Sequence, residues 1–249
     1  MEKRGQVTIF IILGVVLIST IGIFLYFSEF SLMSLINMGT ESIPSEILPI
    51  YEFVNDCVKS SGEETLYLIG QQGGYPYLPE SSLDIDIPYY FDGENSILPS
   101  KETIEEQIGN YINLKIFFCT KSFIDFLDFE VAQNLASTEV IILDNVVNIQ
   151  VNYPLNIKKG DTTYQLSEFK ETFDIRLGTI YKTAEEITSL QEQNPPEICL
   201  SCIIDLGIEN NLNINIEDYG EDTVIFTIAD QNSILLEDAY KFVFANKYH

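Results

Sequence analysis

The sequence predicts an α+β protein: an N-terminal transmembrane helix followed by an extracytoplasmic domain of helices and antiparallel β-meanders. Three observations carry this. The run Gln6–Ser28 holds no charged residue. Apolar residues recur at helical spacing from Pro49 to about Asp128, with breaks, and again from Gly178 to about Asn210. From Ser137, and again from Leu212, the apolar period falls to two. Runs of helix alternating with antiparallel strands are the α+β pattern.

Val7 to Phe27 is 21 residues, about 32 Å as a helix, against a hydrocarbon core of roughly 30 Å. Lys3 and Arg4 precede the run and Glu29 follows it. Short basic flanks stay in the cytoplasm, so the rest of the chain is expected outside. A cleaved secretory signal would have a shorter apolar core followed by a cut site of small residues, and Tyr26–Leu32 offers no such site. The expected organisation is a basic cytoplasmic leader over 1–5, the transmembrane helix over 6–28, a stalk and hinge over 29–45, and an extracytoplasmic domain over 46–249.

Of the 38 acidic residues 37 lie beyond Ser28, against 11 of the 13 basic ones, so the outer part carries a formal charge near −26. Such a surface repels nucleic acid and anionic head groups. Hydrophobic content of 46% and aromatic content of 12% belong to a folded domain, not a disordered tail.

In chain order, Phe30, Leu32, Leu35 and Met38 continue a helical pattern that Gly39 caps and Pro44 stops. Pro49–Gly70 reads as an amphipathic helix on Ile50, Phe53, Val54, Cys57 and Val58, with a weak point at Ser60-Ser61-Gly62. Gln71–Pro79 is a loop, since its glycines and prolines forbid regular structure. Leu83–Tyr90 holds a short edge strand, and Asp92–Asn95 a turn. Ser100 caps a helix from Lys101 to about Asp128 on Ile104, Ile108, Tyr111, Ile112, Cys119 and Phe123. Glu139–Leu143, Val146–Leu155 and Thr162–Ile175 read as strands of an antiparallel meander, with tight turns at Asp144-Asn145 and Lys158–Asp161. Gly178–Gln193 returns to helix, Asn194-Pro195-Pro196 ends it, and Glu197 to about Asn210 forms another. Leu212–Ile216, Thr223–Ala229 and Tyr240–Ala245 are the last strands.

The cysteines are the leading candidates for chemistry. An even count in an external domain favours disulfides. Of three pairings, Cys57 with Cys119 and Cys199 with Cys202 is the expected one, because Cys57 and Cys119 each sit on the apolar face of a helix. Cys199-Leu200-Ser201-Cys202 at a helix start also allows a redox pair, since the helix dipole favours thiolate. The only histidine is His249, the last residue, so an imidazole-based hydrolase has no positioned base. Asp84-Ile85-Asp86, Asp92–Asn95 and Glu217–Asp222 offer oxygen ligands, but none has the spacing of a calcium loop. No metal site and no cofactor are expected, and no Walker loop or dinucleotide fingerprint is present.

Lys3-Arg4-Gly5-Gln6 before an apolar helix resembles the class III signal peptide of archaeal type IV pilin-like proteins. The resemblance implies cleavage by a prepilin-type peptidase between Gly5 and Gln6, with the helix kept on the mature protein. Phe10 stands where many members carry Glu. The body resembles uncharacterised membrane-anchored proteins of small-genome archaea over Phe53–Cys57, Gly70–Tyr75, Tyr153–Leu155 and Ile198–Cys202. That likeness implies an envelope location and brings no activity.

These readings combine into a single-pass, membrane-anchored cell-surface protein, structural or adhesive and non-enzymatic, with a pilin-like subunit as its specific form. The expected partners are the lipid bilayer, the peptidase, and copies of itself or other envelope proteins. The alternative is a membrane-tethered thiol-disulfide oxidoreductase using Cys199 and Cys202.

Overall fold

The computed structural model describes residues 43–195 and 197–248. The chain divides after Glu46 into two units, and the helices and strands described belong to the second, Ile47–His249. The leader 1–5, the apolar run 6–28, the stalk up to residue 42, the processing pair Gly5 and Gln6, and His249 lie outside the described residues.

The expected fold class needs correcting. Among the described residues no helix is long and apolar enough to cross a membrane. The longest helix, α1 (Leu48–Gln71), has 24 residues but carries Glu52, Asp56, Lys59, Glu63 and Glu64 on its wet face, which is the signature of a helix laid on a core. The sheets are also not antiparallel throughout. The described residues form an α+β domain of four helices and two sheets, in one of which a strand runs parallel to its neighbour.

Helix α1 opens with Pro at its first turn, where the missing N–H costs nothing. Its core face is Ile50, Val54, Cys57, Val58, Thr65, Leu66 and Ile69. The expected weak point at Ser60–Gly62 does not break it. A Cβ on Gly62 would stand 2.6 Å from the Phe173 ring, so this glycine serves close packing, and Thr65 Oγ1 donates to Ser61 O at 2.6 Å across it.

Helix α2 (Lys101–Thr120) starts at Ser100, whose Oγ accepts from the Thr103 N–H. It buries Ile104, Ile108, Ile112 and Ile116. It stops well short of the expected Asp128. Lys121, Ser122 and Phe123 turn left-handed (φ 45°, 54° and 59°), and this carries Phe123 and Phe126 onto Phe53 of α1, with ring centroids 6.1 and 5.1 Å away. Aromatic packing thus overrides the helical period.

The first sheet is built on β4 (Val147–Lys159). On one side it pairs with β5 (Thr162–Phe173), and on the other with both β3 (Ser137–Ile142) and β2 (Glu130–Gln133), which lie end to end. Val147, Ile149, Val151, Tyr153, Leu155 and Ile157 are all buried, the inward half of a period-two pattern. Pro154, which cannot join a regular ladder, sits at a register shift between Asn152 and Leu155.

The second sheet has the order β1 (Tyr89–Phe91), β8 (Asp238–Lys247), β7 (Thr223–Leu235), β6 (Asn213–Tyr219), with β1 parallel to β8. Tyr90, Phe244 and Phe226 stack across it at centroid distances of 4.6 and 5.2 Å. Helix α1 touches both sheets, through β5 and β8. Helices α3 (Leu177–Gln193) and α4 (Leu200–Asn210) complete the domain.

One buried polar knot joins α3, α4 and β7. Asp230 is fully buried. Its carboxylate accepts from Arg176 Nη1 at 3.0 Å, the Asn232 N–H at 3.1 Å, Asn232 Nδ2 at 3.3 Å and Ser233 Oγ at 2.5 Å. Arg176 Nη2 donates to the carbonyl of Asn210 at 2.7 Å. The start of α3, the irregularity in β7 and the end of α4 are thereby tied together, with both carboxylate oxygens satisfied.

Candidate functional site

All four cysteines of the chain are bonded. Cys57 joins Cys119 with Cα atoms 5.8 Å apart, clamping α1 to α2, and Cys199 joins Cys202 at 5.3 Å. The first bridge spans a sequence separation of 62, and closing such a loop is worth about 4 kcal/mol in the chain-entropy model. The second lies at the start of α4, with Cys199 as its N-cap residue and exposed. Ser201 Oγ lies 3.7 Å from Cys199 Sγ. Chain order puts Glu197 just before it, and a shallow groove beside Cys202 is lined by Glu186, Asp205 and Glu209. A thiolate released there would lie among carboxylates, the reverse of the cationic surroundings that activate cysteines.

The other sequence candidates are structural. Asp92 accepts the N–H groups of Glu94 and Asn95 at 2.9 and 2.7 Å, and those backbone hydrogen bonds hold its carboxyl below the usual range. This is an Asx turn. Asp84 Oδ1 accepts from Tyr219 OH at 2.5 Å, which raises the Tyr219 phenol. Among the described residues no three His, Cys, Asp or Glu side chains converge on a metal position. The loop after α1 packs inward: Gly73 and Gly74 have φ of +51° and +89°, and the Gly73 carbonyl accepts from the buried Tyr90 hydroxyl at 2.8 Å.

The feature that sequence reasoning misses is the groove between α4 and β6. It has a volume of about 550 Å³; Ile203, Ile204, Gly207 and Ile208 line its helix side, Leu212, Ile214 and Ile216 its strand side, and Asn211, Asn213, Gln231 and Asn232 the remainder. Ile204 and Ile208 are 59% and 74% exposed, one turn apart on the outer flank of α4. Strand β6 ends its sheet. Beyond its ladder to β7, its backbone makes no hydrogen bond to another element among the described residues.

Strand β6 carries Glu217 and Asp218 and no basic residue, while Arg176 reaches the Asn210 carbonyl at the end of α4. Between Lys182 and Lys241 the chain has no Lys, Arg or His and 13 Asp or Glu. Asp205 and Glu209 stand on the other flank of α4, in the groove beside Cys202, and Glu217 lines a surface of β6 that it shares with Lys241. This gap in basic residues is the available sequence signal, and it is masked by the acid spread over the whole domain.

A second apolar surface lies where α2 ends. Phe117, Phe118, Ile124, Leu127 and Leu135 are all exposed there, Leu127 at 92%. Its charges are mixed, with Lys159 set 4.9 Å over the Phe129 ring and Lys158 paired to Glu130.

Compared with known proteins, the chain matches no family model, no curated protein and no solved structure.

Proposed function

We propose that this chain is a non-enzymatic structural or adhesive protein of a cell surface, with the domain over 46–249 outside the membrane. One observation supports the external location: every cysteine in the sequence is held in a disulfide. Disulfides persist in oxidising compartments and are rare in the cytosol. The acidic balance beyond Ser28 agrees with an exposed, well-solvated surface. Attachment at the membrane, and pilin-like processing between Gly5 and Gln6, rest on the N-terminal sequence alone.

The test is protease added to intact cells, with the wall stripped where needed. The domain is expected to be digested, and its full protection would reject an external location. Sequencing the mature N-terminus reports on processing: Gln-Val-Thr-Ile supports the pilin-like route, and an intact Met1 rejects it.

The thiol oxidoreductase reading has its own observation in the exposed Cys199 at the start of α4. It requires the purified protein to reduce a model disulfide catalytically, and a Cys199→Ser protein to lose that activity while staying folded. The surrounding carboxylates favour the structural reading of this bridge.

A further inference from the structure

We propose that the α4–β6 edge receives an extended, cationic segment of a partner protein, which adds to the second sheet as a fifth strand beside β6. This rests on the adhesive reading and names the chemistry of the partner.

Three features converge on it. A sheet edge offers a row of unpaired N–H and C=O groups, and an extended peptide can satisfy them by continuing the ladder. Strand β6 is such an edge, and at seven residues it is long enough for several ladder bonds. Alternate side chains of an added strand point to one face. On one face of this edge lies the groove, lined by isoleucines and by amide side chains, with Ile204 and Ile208 exposed on its rim, so the guest residues that meet those isoleucines should be apolar.

Charge selects the guest. Strand β6 itself carries Glu217 and Asp218 and no Lys or Arg, so a lysine- or arginine-bearing strand laid beside it meets complementary potential. A second copy of this chain pairing β6 to β6 would bring two sets of like charges together, the device by which native edges avoid self-association. The surface at the end of α2 has mixed charge, and nothing in the structure shows what covers it.

The experiment titrates the full-length protein with an end-blocked peptide of alternating Lys and Val, seven residues long. Saturable binding is expected, weakening about tenfold between roughly 0.05 and 0.5 M NaCl as charge is screened. Methylating alternate backbone nitrogens keeps the side chains but removes ladder donors, and is expected to weaken binding at least about tenfold. The Ile204→Ser/Ile208→Ser protein, changed only at exposed positions, is expected to lose a similar factor with its melting transition unchanged.

Equal binding by the methylated peptide, or by a Glu–Val peptide, would overturn strand addition. So would an unaltered affinity in the isoleucine variant. A concentration-dependent dimer in sedimentation that the same variant abolishes would replace the cationic guest with a second copy. A domain that external protease digests but that ignores the peptide loses this proposal and keeps the surface reading. A domain protected inside the cell loses the surface reading, whatever the peptide does.

Discussion

At the scale of single residues, the hardest position to change is Asp230. It is fully buried and accepts four hydrogen bonds, one from Arg176. Removing one partner of a buried pair leaves the other charge without compensation, at a cost of about 3–5 kcal/mol. Asp230→Ala is therefore expected to lower the urea midpoint by that equivalent, with an unchanged slope. Asn246 is the opposite case. It is 1% exposed, and among the described residues neither its amide nitrogen nor its oxygen has a partner. An unpaired buried amide costs about 1–3 kcal/mol, so Asn246→Leu is expected to hold or raise the thermal midpoint. Neither residue announces itself in the sequence. Arg176 and Asp230 are 54 positions apart, and Asn246 follows a run of buried apolar residues in β8.

At the scale of elements, the helical faces of α1 and α3 and the alternation in β4 are legible, because burial on one side imprints a period on the chain. The end of α2 is not. Cys119 to Phe129 keeps enough apolar residues to read as helix, and only the position of Phe53, far off in sequence, shows why the chain turns at Lys121. Strand β2, just past that stretch, has four residues and none fully buried, too little alternation to read. Of the site, the Cys199–Cys202 segment stands out in the sequence, but the groove beside it depends on how α4 folds back onto β6, which no local pattern encodes.

Helix α3 supplies a pH test. The Tyr181 hydroxyl donates to the Pro99 carbonyl at 2.9 Å, fastening α3 to the segment before α2. Its phenol is pushed up to about 12, first by burial, then by Glu185 and Glu102. The folded state thus prefers the neutral phenol. This contribution is fully present below the unfolded value near 10 and is lost as pH rises through about 12. Stability is expected to fall over that window. In Tyr181→Phe, which lacks the ionising group, the fall should be shallower, with phenolate absorbance in the near ultraviolet reporting the titration.

At the scale of the molecule, α1 near one end of the described chain is covered by β8 at the other. The Tyr240 hydroxyl donates to the Leu66 carbonyl at 3.0 Å across 174 positions, and β8 lies between β1 and β7 in the middle of its sheet. A ribosome therefore delivers α1 long before it delivers the strand that shelters it. Until Asp238–Lys247 has been synthesised, Leu66, Ile69 and the ring of Tyr90 have no lasting cover. Contacts this distant also make folding slow, since loop closure precedes any gain from packing. The domain is accordingly expected to fold only once Asp238–Lys247 has emerged, and to depend until then on whatever shields nascent apolar surface. Chains stalled just before Asp238 should be degraded by a protease pulse that leaves the released protein intact; a resistant core in those stalled chains would show that α1 and the first sheet fold without the last strand.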